Sequence, residues 1–430
     1  MSKTTEIQEE TTIWSKLFAG DRVLWIILTL MMALSILVVY SSTAKMVYQG
    51  ASGDGSFSYI IKQVAVLICC LVGIFLMIRL LKVEELRKWA WVVFVVALGA
   101  TIAAYIPGIG VVINGARRWL NLGIITIQPS EFLRVATVII LARQLASRQK
   151  DINKFILLPS LQFWNWGRSW QREKRIIVNN TIPVLGPVVL ACAVILPAHT
   201  SSAAILFITC IFIMLLARVR RNDIWRVLLL AGLAAVLGLG VLRVGRSDTA
   251  SSRMGVWIDT LFKGKPADIY NLSDTQRALA AIHNGQLLGE GAGQSIMRVE
   301  LIHPECDYAF AFIVEEYGLI VAIVVMFLYL WTFFRCANIF EHCGKAFPSF
   351  LVLGLGMMIM VQAMIHILVA INFLPETGQP LPMISHGGSS TLSAACAFGL
   401  ILCISHQVKE NSIKSPTSES LYEKPETRRR

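Results

Sequence analysis

The sequence predicts an all-α integral membrane protein of about ten transmembrane helices, with a large extracytoplasmic loop between helices 7 and 8. Three observations carry that expectation. Of 430 residues, 55% are hydrophobic and only 15% charged, with a mean hydropathy of +0.63; a soluble protein carries about a quarter charged residues. Apolar runs long enough to cross a bilayer, roughly 20 residues each, recur along the chain. Three polar inserts rich in glycine, proline, arginine and acid interrupt those runs: Asn114–Phe132, the stretch from Arg246 to Asp307, and Leu374–Ser390.

Ten runs read as spans: Val23–Thr43, Tyr59–Leu80, Trp89–Ile106, Phe132–Ala146, Ile182–Pro197, Ala203–Ala217, Ile224–Leu242, Tyr308–Phe334, Phe347–Ile371 and Thr391–Ser405. The fourth and sixth are short, and their flanks and an even total admit them. Buried core helices of a soluble protein are the alternative, and the low charge content argues against them. The chain then divides into a cytoplasmic N-terminal segment (1–22), a ten-helix membrane domain (23–405, its large extracytoplasmic loop spanning 244–307) and a disordered cytoplasmic tail (406–430), polar and rich in Ser, Glu and Lys.

Lys and Arg near span ends orient the chain, because cytoplasmic connections carry the excess of cations. One set of connections holds Arg79, Lys82, Arg87 and Lys88, then Arg143, Arg148, Lys150, Lys154, Arg168, Arg172, Lys174 and Arg175, then Arg218, Arg220, Arg221 and Arg226, then Arg335 and Lys345. Both termini belong to this set and are expected to be cytoplasmic. All three polar inserts then lie on the opposite face. The long insert carries cations as well, but loops of its length largely escape the charge rule. The cytoplasmic connection Gln149–Val178 has Trp164, Trp166 and Trp170 among basic residues, a pattern that suits a helix in the membrane interface.

The net charge of +12 follows from such loops and from attraction to anionic membrane lipids, and calls for no nucleic acid. The acidic, polar N-terminus and the long first apolar run do not read as a cleavable signal. Nine cysteines without CxxC spacing, mostly inside apolar runs, read as small buried residues rather than disulfides or a zinc site. No internal repeat is visible, so an inverted-repeat transporter gains no support.

Chemistry is expected on the insert-bearing face, as for an enzyme acting on a membrane-bound substrate. The long insert opens with Arg246 and Arg253, contains a helix-like piece around Gln276–His283 and a glycine cluster (Gly285, Gly289, Gly291, Gly293), and ends at Asp307. A carboxylate partly desolvated at a membrane interface suits proton abstraction, and nearby arginines can grip phosphate oxygens bidentately. Each feature also has a structural reading. Asp307 can be a helix N-cap, the glycines turns, and Arg246 and Arg253 head-group anchors. In QPSEF, Ser130 reads as an N-cap with Glu131 in the first turn, and Glu131 with Arg134 as a stabilising i,i+3 pair. The prolines and glycines of 375–390 argue for stiff non-helical backbone, tolerated at membrane depth only where protein or water covers it.

Together these blocks resemble the signature of the SEDS family, which includes FtsW, RodA and SpoVE. They are NGARRWLNLG…IQPSEF, then SSRMGVWID…TQRALAAIHNGQLLGEGAGQS…CDYAFAFIVEEYG, then TGQPLPMISHGGSS, in the family's order from about Asp21 to Ser405. The first block and the length are more similar to FtsW than to RodA. The resemblance implies a peptidoglycan glycosyltransferase of the bacterial inner membrane, at the division septum. It would polymerise lipid II beside a class B penicillin-binding protein (an FtsI-like transpeptidase) and other divisome membrane proteins. It implies that Asp307 is the catalytic base. Substrate or pyrophosphate contacts then fall to Arg117, Arg118, Arg246, Arg253, Gln276, Ser389 and Ser390, with Glu300 and Glu305 as secondary acids. A divalent cation, Mg or Mn, could share in neutralising the leaving pyrophosphate.

The chain departs from the family's pattern at four places. Pro197-Ala198-His199-Thr200-Ser201 lacks the usual acid, Arg134 replaces a lysine, HisProGluCys precedes Asp307, and His386 stands where tyrosine is common. Two rival functions are a lipid flippase, which would need charges buried mid-span, and a non-catalytic divisome scaffold. Apart from Glu131 and Arg134, few mid-span charges are evident in the sequence.

Overall fold

A computed structural model describes residues 18–48, 56–113, 116–121, 123, 126–149, 177–197, 199–229, 232, 255, 257, 274–295 and 306–414. The chain is a multi-pass membrane protein. Its helices are α1 (Arg22–Tyr48), α2 (Ser56–Leu80), α3 (Val83–Ala103), α4 (Pro129–Ser147), α5 (Ile182–Ile195), α6 (Thr200–Leu216), α7 (Asp274–Gly285), α8 (Ala309–His342), α9 (Ala346–Ala370) and α10 (Gly388–Lys414). Among the described residues seven helices are long and apolar enough to cross a membrane, and α6 is a shorter apolar helix. Nine of the ten expected spans have a helix in the described residues; of the tenth, Ile224–Leu242, a helix over 221–229 is described. The tryptophan-bearing connection lies outside the described residues.

Burial sorts the helices into centre and rim. The apolar windows of α9 and α10 are 72% and 83% buried, against 22% for α2 and α3. The sequence of α9 explains its place, because the small Gly354 and Gly356 let neighbours approach closely. A β-carbon at 354 would lie 2.6 Å from Ile213 Cδ1, and one at 356 would lie 2.7 Å from Cys336 Sγ.

Two expected boundaries move. The helix after QPSEF starts at Pro129, with Gln128 rather than Ser130 as N-cap and no side-chain cap; proline at the first helical position has no N–H to leave unpaired. The last helix continues to Lys414, so the expected disordered tail from 406 is helical in its first part.

One element goes beyond the all-α expectation. Gly110–Ile113 (β1), Ala116–Asn121 (β2) and Thr126–Ile127 (β3) form an antiparallel sheet in the order β1-β2-β3. It packs against α4 and α10.

Long-range bonds define the two ends of the bundle. At one end Arg335 is ion-paired with Asp21, Lys345 Nζ lies 2.6 Å from Glu84 Oε1, and the Val83 N–H donates to Gln407 Oε1 at 3.3 Å. Arg335 and Lys345 belong to the cation-rich set. The first and third polar inserts and the start of α8 meet at the opposite end.

There α8 is broken. Gly318 has φ 82° and ψ 169°, so Ala309–Tyr317 forms a separate half-helix. The glycine-rich segment after α7 fills the break. The Glu290 N–H donates to the Glu315 carbonyl at 2.9 Å, Gly291 to Glu316 at 3.0 Å, and Leu319 to Gln286 at 3.0 Å. Gly285 and Gly289 serve this close approach, since β-carbons there would fall 2.0 Å from the Val314 oxygen and 2.3 Å from the Glu316 oxygen. Glu315 and Glu316 are fully buried beneath it. Ser295 Oγ donates to Glu315, Ser41 Oγ donates to Glu316, and the Gly293 N–H reaches Glu316 Oε1 at 3.1 Å. Acids buried within a span are thus more numerous than the sequence reading held, but they lie in the first turns of α8 rather than mid-span, and hydrogen-bond donors meet them.

Candidate active site

Asp307 lies on the turn Cys306–Tyr308 that leads into α8. The N-cap position of α8 is Tyr308, and Asp307 stands one residue before it. The carboxylate is half-buried and faces Gly378, where a β-carbon would stand 3.9 Å from both oxygens. Gly378 has φ +59°, a left-handed conformation that glycine adopts without strain.

The segment from Asn372 to Gly387 is non-helical, yet Gln379, Leu381, Met383, Ile384 and Ser385 are buried. Buried backbone needs partners, and polar side chains from the surrounding helices supply them. His366 Nδ1 lies 2.7 Å from the Gln379 carbonyl while its Nε2 accepts the Phe310 N–H at 3.3 Å. That pairing requires the neutral ring with its proton on Nδ1. Gln362 Nε2 donates to the Pro380 carbonyl at 2.9 Å and the Tyr329 hydroxyl to that of Pro382. Ser201 Oγ donates to the Thr377 carbonyl at 3.1 Å, and Gln379 Nε2 donates to Ser202 Oγ at 3.0 Å.

The same segment is tied to the acid-bearing turn. Ser385 Oγ donates to the Cys306 carbonyl at 3.1 Å, and Cys306 Sγ to that of His386. His386 Nδ1 lies 2.8 Å from Gln63 Oε1. The two family-divergent histidines therefore have structural work: His386 anchors to α2, and His199, the N-cap residue of α6, lies against Ser201 and Gln379.

A third element closes the site. The first turn of α7 brings Thr275 Oγ1 within 3.5 Å of the Tyr308 hydroxyl, and Glu376, Asp274 and Asp307 all act electrostatically on that phenol. Gln276 stands on this turn, half-buried. Arg277 follows it, 3.1 Å from Asp274, with its Nε buried and lacking a described partner.

The remaining sequence-predicted residues are placed as follows. Ser389 and Ser390 are buried in the first turn of α10. Arg117 and Arg118 lie on β2. Glu131 and Arg134 form an ion pair, both at least 97% buried, a deeper pair than the surface type their spacing suggests. Arg246, Arg253, Glu300 and Glu305 lie outside the described residues. Sequence reasoning missed Glu376, Gly378, Arg277 and the buried His366, Gln379 and Tyr329. Gly378 and Gln379 sit in the quoted motif, Glu376 stands directly before it, and Arg277 follows Gln276 directly. Among the described residues no group of three His, Cys, Asp or Glu could hold a metal, so the divalent-cation expectation finds no built site there and no chemical step is derived through it.

The sequence pattern of the FtsW/RodA/SpoVE family, described as cell cycle protein, matches residues 21–410. The chain is 29% identical over 395 residues to stage V sporulation protein E of Bacillus subtilis (strain 168), covering 91% of this chain and 98% of that one. It is 31% identical over 345 residues to a probable peptidoglycan glycosyltransferase FtsW of Nitrosococcus halophilus (strain Nc4), covering 77% and 80%. Among solved structures it resembles a chain from work on the structural coordination of polymerization and crosslinking by a peptidoglycan synthase complex. There the TM-score is 0.63 at 20% identity, over 91% of this chain and 98% of that one. The rod shape determining protein RodA of Thermus thermophilus gives a TM-score of 0.56 at 19% identity, over 90% and 97%. These two likenesses speak for the fold.

Proposed function

The chain belongs to the FtsW/RodA/SpoVE family of cell cycle proteins, and from that premise we propose that it polymerises lipid II into glycan strands with Asp307 as general base. The observation that carries this reading is the place of Asp307. It stands on the turn before α8, outside the capping position, facing a residue without a side chain. An acceptor hydroxyl can approach such a carboxylate.

Asp307 takes the proton from the acceptor sugar's 4-hydroxyl. That oxygen attacks the anomeric carbon of the donor, and the bond to undecaprenyl pyrophosphate breaks as the new glycosidic bond forms. An α-linked donor and a β-1,4 product require inversion, hence one in-line displacement. Such a reaction needs one base and cations for the leaving group, not the paired carboxylates of glycoside hydrolases. Arg277 at the site edge and Arg117 and Arg118 on the sheet are among this face's described cations, with Arg246 and Arg253 of the long insert as further candidates. The positive-inside pattern puts both termini in the cytoplasm and this face in the periplasm. The partner is a class B penicillin-binding protein at the septum, which crosslinks the strands.

The test gives labelled lipid II to the purified protein with its transpeptidase partner and reads glycan length on a gel. Asp307→Asn should lower polymer formation by about 10²–10⁴-fold. Equal polymer from wild type and variant would remove the base assignment. Lipid II crossing vesicle membranes without any polymer would favour the flippase instead.

A further inference from the structure

At the end of the bundle opposite the active site, α3 and α4 flank an open-mouthed cavity of about 380 Å³. Arg87, Lys88, Arg143 and Arg148 line it, together with Trp91 and one acid, Glu84. Glu84 is already bridged to Lys345 at 2.6 Å. The arginines are oriented by neutral oxygens. Arg143 Nη1 donates to the Lys88 carbonyl at 3.3 Å, and Arg148 Nε donates to that of Asn179 at 3.0 Å. Arg148 also contacts the side-chain oxygen of Gln144. These bonds fix the guanidinium directions without cancelling charge, and burial holds Arg148 below its ordinary pKa. Partly desolvated cations cost free energy unless an anion meets them.

The surface leading away from the cavity along α3 is apolar and exposed: Val92 at 48%, Val95 at 58% and Val96 at 64%. Trp91, 39% exposed, stands where the two regions meet, the position tryptophan favours at a membrane interface. A cationic cup joined to an apolar strip fits a molecule with a phosphate head and acyl chains. We propose that this cavity binds the head group of an anionic membrane phospholipid. A soluble phosphate compound would satisfy the cup but make no use of the bilayer-facing strip beside it. The inference stands apart from the polymerase reading, since it uses none of the residues of that site.

The test titrates the full-length protein in detergent with phosphatidylglycerol and counts bound lipids by native mass spectrometry, with phosphatidylcholine as the neutral reference. Wild type and Arg143→Lys/Arg148→Lys should retain phosphatidylglycerol. Arg143→Gln/Arg148→Gln should bind it roughly thirty-fold more weakly, about fivefold per cation. Arg87→Gln/Lys88→Gln, altering two exposed side chains, should weaken it in the same direction and serves if the first variant does not fold. Arg79→Gln/Arg221→Gln, at helix ends away from the cavity, should bind as wild type does. Unchanged binding in both cavity variants overturns the proposal, as does an equal loss in the control pair. Complete competition by inorganic phosphate assigns the cup to a free anion and overturns the lipid.

Discussion

Gly318→Ala tests how the acid-bearing end of α8 is built. At φ 82° and ψ 169°, Gly318 occupies a region essentially confined to glycine, where another residue costs about 1–3 kcal/mol. Space adds to strain. A β-carbon there would lie 2.3 Å from the Leu287 carbonyl oxygen and 2.7 Å from the Gly289 nitrogen. Both are backbone atoms of a segment whose own Gly289, at φ +81°, is packed 2.3 Å from the Glu316 oxygen by the same measure. Neither side can yield by a rotamer change, so overpacking adds about 1–3 kcal/mol. The total of ~2–6 kcal/mol is a large part of the 5–15 kcal/mol by which proteins are folded. The assay is the thermal unfolding midpoint of the detergent-purified protein, followed by tryptophan fluorescence. Gly99→Ala in α3, where nothing stands within 4 Å, is the reference and should be neutral or stabilising by up to ~1 kcal/mol. A Gly318→Ala midpoint equal to wild type would refute the interlocked-backbone argument.

Other substitutions probe the remaining buried polar groups. Arg134→Met strands the Glu131 charge in the core and should cost about 3–5 kcal/mol, with Glu131→Gln/Arg134→Met recovering much of it in the same unfolding assay. Tyr329→Phe leaves the Pro382 carbonyl without its buried donor and should cost about 1–3 kcal/mol, with a fall in polymer yield because the segment carrying Gly378 loosens. His366→Phe removes both the acceptor for the Phe310 N–H and the donor to Gln379. It should lower the unfolding midpoint further than Tyr329→Phe does; an equal or smaller drop would show that the ring is replaceable by bulk.

What the sequence showed of this fold was set by the range of the forces involved. The spans were legible because bilayer crossing requires a local property, a continuous apolar run. The sheet carried a local signal too, Asn114-Gly115 between Val111-Val112-Ile113 and the strand from Ala116, which is a strong hairpin marker, although the surrounding apolar runs mask it. Asp307 was legible as a position in a motif, but its neighbours were not. Gln63 and His386 are 323 residues apart, and Tyr329 and Pro382 53 apart, so no periodicity relates them. The acids Glu315 and Glu316 sit inside an apolar run that masks them. The donors that make their burial tolerable, Ser41, Gly293 and Ser295, lie 20 to 275 residues away along the chain.

The polar residues inside this bundle share one cause, and it bears on how the carboxylate proposed as base is held. Backbone that leaves the helical ladder at membrane depth must find donors and acceptors elsewhere. Two such departures meet at one end of α8: the break at Gly318, bonded to residues 286–291, and the Asn372–Gly387 segment, bonded to Ser201, Tyr329, Gln362 and His366. Asp307 lies at the start of the half-helix that one holds, and faces Gly378 in the other. A carboxylate on an ordinary loop could drift by ångströms, whereas proton abstraction requires approach to roughly 2.6–3.2 Å. The irregular segments therefore form a rigid frame for Asp307, and loosening either one should lower turnover even where every side chain that touches substrate is kept.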